Sequence, residues 1–457
     1  MLDLAIRGGT VVTPEAELRA DVGVADGRIA AIGEAGPARE DLDARGLLVL
    51  PGCVDLHVHL ASRPAWTPLD GFETGTRAAA AGGVTTVVAF AQQEPGEGLR
   101  PAVERALADA APSIVDFAFH VTVVDPSLRA IADVAALAAD GHAGLKVFMV
   151  MPVFAERRSE FRELYRAAAR AGALVAVHAE DAGIVARRTR ELHEAGRTGV
   201  EAFPDSRPVE AEAVAVREAI RDSRETGASV YLVHLSSRPA LQAVRDARAA
   251  GLRVHGECRP IYLYLTREVY GLPDRRGAIY VGQPPLREPA DVEAVWAALA
   301  DGTLATVGTD HIPHRLSDKI DPGRTFDRIP PGMANLETML PMLHSEGVLR
   351  GRLTLRRLVE VLAAAPARIA GLAPRKGAIA VGADADLVLF DPALRRTVRA
   401  ADTFTACDHD PFEGWEVTGW PVVTLSRGEV LYARGEIVAP PGRGRFVPRA
   451  PLEGRPA

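Results

Sequence analysis

Residues 47–60 read LLVLPGCVDLHVHL. An apolar, strand-like run leads into His57 and His59, which are two residues apart. On a strand, residues at that spacing point to one side. Seven further runs of this kind follow: VTTVVAF (84–90), IVDFAFHV (114–121), AGLKVFM (143–149), ALVAVHAE (173–180), SVYLVHLS (229–236), LRVHGEC (252–258) and LATVGTDH (304–311). Helical stretches separate most of them, among them 158–172, 208–227, 238–251 and 289–302. All four end in glycine, the usual helix C-cap. Eight strands alternating with helices predict an α/β fold, a (β/α)8 barrel of TIM type, spanning 51–371. A doubly wound open sheet is the alternative arrangement.

Outward from this block the pattern changes. Residues 5–13 (AIRGGTVVT) and 20–33 (ADVGVADGRIAAIG) read as short strands, with Asp26-Gly27 as a hairpin turn. The same character returns at 377–392 and 422–438. Segments 1–50 and 372–457 are therefore expected to build one small β-sandwich domain from both chain ends. The tail, 440–457, is rich in Pro, Gly and Arg and reads as an extended arm.

At 457 residues the chain has room for a large core. Apolar residues make up 47% and charged residues 25%, as in ordinary globular proteins. A formal net charge of −7 argues against a nucleic-acid surface and gives no sign of binding anionic membranes. Cys53, Cys258 and Cys407 are too few and too scattered for a disulfide framework. With no basic, apolar leader at the start of the sequence, a cytoplasmic protein is expected. The lysines are Lys146, Lys319 and Lys376, against fifty arginines (53 basic residues less three). A lysine inside an apolar run then calls for a reason.

Ligand-type residues fall at the ends of the apolar runs. His57 and His59 close the first, His178 closes ALVAVHAE, His234 closes SVYLVHLS, and Asp310 closes LATVGTDH. Lys146 lies near the end of AGLKVFM. The C-terminal strand ends are where barrel enzymes build their sites. Imidazole and carboxylate together suit zinc and similar divalent metals. Four histidines and an aspartate exceed the three protein ligands of a typical single catalytic zinc, so two ions sharing a water are expected. A lysine buried near cations loses its proton readily. The neutral amine can add carbon dioxide, and the resulting carbamate offers one oxygen to each metal. His120 and His255 read as structural.

These residues and their surroundings resemble the amidohydrolase superfamily, specifically its dihydropyrimidinase/hydantoinase branch. The similarity runs through PGCVDLHVHL, GFETGTRAAAAGGVTTVVAFA, GLKVFM, VHAE, VHLSS, PPLRE, TVGTDH and APRKGAIAVGADADLVLFDP, and ends in FEGWEVTGWPVVTLSRGEV. The resemblance implies that His57 and His59 hold the more buried metal, which Asp310 completes. It makes Lys146 the carbamylated bridge and gives the second metal to His178 and His234. It implies zinc, or manganese, and makes Asp310 the group that moves a proton from the attacking water to the leaving ring nitrogen. The implied reaction opens a cyclic amide or ureide, a dihydropyrimidine or hydantoin, to an N-carbamoyl amino acid. A homotetramer is implied, with the C-terminal arm reaching a neighbour.

The sequence departs from the branch at the expected substrate contacts. Met151 stands where a tyrosine is usual, Gln283 where a serine is usual, and Pro331 where an asparagine is usual. Tyr262 and Tyr264 are the candidates to replace the lost hydroxyl. Allantoinase and dihydroorotase share the metal pattern. Ala61, where dihydroorotases carry arginine, together with Arg63 and Gln92, disfavours the second. A non-catalytic scaffold, like the collapsin-response mediator proteins, would have lost ligands; here each ligand position is filled.

Overall fold

The computed structural model describes residues 1–60 and 68–452. The positions of Ala61 and Arg63 lie outside the described residues. Eight strands form a parallel sheet in strict chain order: Cys53–Asp55, Val84–Gln92, Asp116–Thr122, Gly144–Phe148, Leu174–His178, Ser229–Leu232, Val254–Cys258 and Thr306–Val307. Sequential order closes a barrel, and among the described residues no strand reversal of the doubly wound kind occurs. The first and last strands meet through side chains and loop backbone. Asp55 accepts from the Thr309 amide and hydroxyl, the latter at 2.6 Å. His59 N donates to the His311 carbonyl at 2.9 Å. The helices expected at the barrel's outside form as Arg158–Ala171, Val209–Thr226, Arg238–Ala249 and Pro289–Asp301. Three of them stop at a left-handed glycine, Gly172, Gly227 or Gly302, where a side chain would strain the backbone.

Both chain ends join one nine-stranded mixed sheet. Strands from the two chain ends share a common core. Leu4, Val22 and Ile29 from the N-terminal strands pack in one cluster with Leu387, Leu389 and Leu425. Asp26 and Gly27 have φ of 51° and 71°, as a two-residue hairpin turn requires. The opening stretch splits between the two sheets. Leu48–Pro51 pairs with Leu387–Phe390 in the small sheet, whereas Cys53 pairs with Val84 in the barrel. Gly52 is the crossing point. A Cβ there would lie 2.2 Å from the Thr85 hydroxyl, so the two layers touch because the residue has no side chain.

The tail is extended, and through Leu452 it packs against its own barrel. Val447 and Arg449 are buried at the barrel floor. Arg449 donates to the carbonyls of Ala370 (2.8 Å) and Phe119 (3.0 Å). Backbone amides of Arg449, Ala450 and Leu452 bond to Gly141, Gly371 and Gly172. These glycines make the groove, because a Cβ at Gly371 would lie 2.1 Å from the Ala450 carbonyl and one at Gly144 would strike the Arg449 guanidinium. Composition alone could not show a groove assembled from glycines scattered along the chain.

All three lysines are buried. Lys376 bonds Asp116 at 2.6 Å and Asp386 at 2.8 Å, tying the barrel floor to the small sheet. Lys319 donates to the Val281 and Pro330 carbonyls. Among the described residues no helix is long and apolar enough to cross a membrane.

Candidate metal centre

The C-terminal rim of the barrel gathers the predicted side chains. Ligand atoms of His57, His234 and Asp310 lie within 4.8 Å of one another. The His57 and His234 rings are 5.4 Å apart, and His178 meets His234 edge-on at 4.6 Å. His59 Nε2 and His57 Nε2 both lie 3.1 Å from the same oxygen, Asp310 Oδ1. Lys146 is fully buried, its Nζ 5.1 Å from the centre of the Phe90 ring and 4.9 Å from that of Phe148. Phe90 also packs on His57 and His59, and Phe148 on His178, so the amine sits between the two halves of the cluster. His234 and Asp310 hold left-handed backbones, φ 43° and 47°. Such strain in non-glycine residues concentrates at functional sites.

The donor set fits divalent cations on three counts. His57 Nδ1 lies 2.8 Å from Glu257 Oε1, which leaves Nε2 as the ring nitrogen turned toward Asp310 Oδ1, at 3.1 Å. An imidazole nitrogen and a carboxylate oxygen that face each other in this way can both turn to one cation. His234 Nδ1 and Lys146 Nζ are buried with no hydrogen-bond partner among the described residues, a costly state that a ligand would relieve. Burial also pulls the Lys146 amine down to about 8, against the pull of Asp310 and Glu257, so about a tenth of it is neutral at pH 7, far more than for an exposed lysine.

Residues 48–431 match the model of the amidohydrolase family. The chain belongs to that family. This amidohydrolase is 39% identical to a D-hydantoinase of Geobacillus stearothermophilus, with 97% of this chain and 96% of that one covered. A Streptomyces coelicolor D-hydantoinase is 38% identical, covering 97% of each. A crystal structure of dihydropyrimidinase from Brevibacillus agri superposes with a TM-score of 0.95 at 37% identity, over the whole of both chains. Family membership and the cluster together make this a divalent-metal protein.

Outer partners that sequence reasoning missed hold the amidohydrolase cluster in place. Glu257 accepts from His57 Nδ1, the His234 amide (3.0 Å) and the Tyr231 hydroxyl. Asp55 accepts from the His57 amide at 3.0 Å, and burial pushes its carboxyl up to about 7. Glu180 bonds His178 Nε2 at 2.8 Å and the Arg207 guanidinium at 2.5 Å. Arg259 pairs with Asp310 Oδ2 at 3.1 Å. Their signal was an acid or arginine inside or closing an apolar run, as in VDLHVH, VHAE and HGECR. Arg287, of PPLRE, bonds Glu212 and Ser236 and secures the loops behind.

Above the cluster lies a cavity of about 840 Å³, counting its open mouth. Met151, Gln283 and Pro331 all line it, with Gln92, Phe148 and Ile312. Neither expected tyrosine does. The Tyr262 hydroxyl donates to the Pro284 carbonyl at 2.6 Å, and Tyr264 packs among Trp296, Phe412 and Trp415. The short helix Ile261–Tyr264 carries both away from the cavity lining, so neither replaces a hydroxyl at position 151. His120 lies off the cluster, its Nδ1 3.3 Å from the Arg449 guanidinium.

Proposed function

We propose that this cyclic amidohydrolase opens hydantoin and dihydropyrimidine rings to N-carbamoyl amino acids. The observation that carries the reading is the meeting of four imidazoles, Asp310 and an unpartnered buried lysine beneath one cavity. Names of relatives along the full chain support the substrate class.

His57, His59 and Asp310 would hold one divalent ion, His178 and His234 a second, with Lys146 shared between them as its carbamate. Zinc fits the nitrogen-rich set, and manganese is the alternative. Bound there, the ions supply Lewis acidity and acidify water near neutral pH. Carbamate formation is the chain's own chemistry: the neutral Lys146 amine attacks carbon dioxide, forms an N–C bond and loses a proton. Asp310 then takes the proton of the attacking water and passes it to the ring nitrogen as the C–N bond breaks. Met151 offers the cavity an apolar thioether where a hydroxyl would otherwise face the substrate. Gln283 and Pro331, which line the same cavity, would also contact the ring. A homotetramer is proposed on the resemblance. The three buried, unpaired cysteines suit a reducing cytoplasm.

The test is a hydrolysis panel on metal-loaded protein with dihydrouracil, hydantoin, a 5-substituted hydantoin, allantoin and dihydroorotate. Hydantoins and dihydrouracil should open. Turnover of allantoin alone would refute the branch. A scaffold would purify without stoichiometric metal.

A further inference from the structure

We infer that Arg259 is a positioning residue that sets the orientation of the Asp310 carboxylate. Arg259 follows the seventh barrel strand and is wholly buried. Its guanidinium meets Asp310 at two points: NH1 forms an ion pair with Oδ2 at 3.1 Å without hydrogen-bond geometry, and NH2 donates to the Asp310 carbonyl at 3.4 Å. The other carboxylate oxygen, Oδ1, is the one that faces His57 and His59. One oxygen is therefore committed to the imidazoles and the other to the guanidinium. The backbone grip falls on a residue whose left-handed φ of 47° is unfavourable without support.

The guanidinium is itself fixed from outside the cluster. It lies over the Tyr262 ring, 5.8 Å from its centre, and the Tyr262 hydroxyl is tied to Pro284. Gly282 makes room for it, since a Cβ there would lie 2.9 Å from NH1. Gln283, the next residue, lines the cavity. Arg259 thus links the proton-moving carboxylate to the loop that forms one substrate wall. A planar fork can make this two-point contact; a lysine ammonium supplies the charge at one point only.

The inference rests on the proposed metal-hydrolase reading, so its test includes a measurement that needs no substrate. Wild type, Arg259→Met and Arg259→Lys would be loaded with cobalt(II) in bicarbonate buffer. Metal content, visible spectrum, melting temperature and hydantoin kinetics would be recorded for each. For Arg259→Met the expected result is wild-type metal content and melting temperature, with altered cobalt bands. Its kcat should fall at least about thirtyfold, with KM within about threefold. Arg259→Lys should recover part of that loss, about threefold or more, but not all.

A wild-type spectrum and kcat in Arg259→Met would overturn the inference. So would activity lost only in proportion to lost metal, which is a structural role. If Arg259→Met does not fold, Arg259→Lys decides: full activity with unchanged bands sinks the two-point grip. If wild type opens no ring in the panel, the functional reading fails, while the cobalt bands still decide Arg259.

Discussion

Glu257 Oε1 accepts the Nδ1 proton of His57 at 2.8 Å, and the same oxygen accepts the His234 amide at 3.0 Å. One carboxylate on the seventh strand therefore fixes the tautomer of a first-strand histidine and the strained backbone of a sixth-strand one. Histidine ligands are commonly oriented in this way, and loss of the orienting group weakens metal binding.

Glu257→Ala should lower metal affinity by about 10–100-fold while the barrel still folds. Competition with a chromophoric chelator measures it. Unchanged affinity would remove Glu257 from the supporting shell.

Asp310→Asn keeps the shape of the side chain but removes its ability to accept the proton. Its kcat should fall by about 10²–10⁴-fold, the usual weight of a general base. Single-turnover kinetics at matched metal occupancy separate this from metal loss.

Metal loading of the apo protein should depend on carbon dioxide and accelerate with pH. Burial brings the Lys146 amine to about 8, so its neutral fraction rises about fivefold between pH 7 and pH 8. Loading rates with and without bicarbonate, followed by mass spectrometry for the added CO2, test this. Lys146→Ala should abolish the pH dependence.

Acid stability should depend on Glu180. Burial alone would raise its carboxyl, but Arg207 and the His178 hydrogen bond bring it down to about 2. A depressed carboxylate stabilises the fold above its unfolded value and loses that contribution as pH falls through the folded one. The contribution should therefore be complete above about pH 5 and fade toward pH 2. Denaturant midpoints of wild type and Glu180→Gln should differ at pH 7 and converge as pH falls through that window.

Met151→Tyr returns a hydroxyl to the cavity wall. A gain of about tenfold in kcat on hydantoin is expected, below the full weight of an oxyanion donor because the wall is packed around a thioether. A kcat within twofold of wild type would mean that position 151 only shapes the cavity.

The sequence by itself determined the barrel, the sharing of the small domain between both chain ends, and the histidines, lysine and aspartate brought together at the rim. Strand and helix periods are local, and a ligand at a strand end needs only that period to be aimed. The tertiary structure alone decided which groups support those ligands. Glu257 meets His57 across 200 positions and Arg259 meets Asp310 across 51, distances over which no periodicity runs. It also turned Tyr262 and Tyr264 away from the cavity and folded the tail onto a groove of glycines. Those outcomes depend on close packing of side chains and missing Cβ atoms, which a linear pattern of apolar and polar residues does not encode.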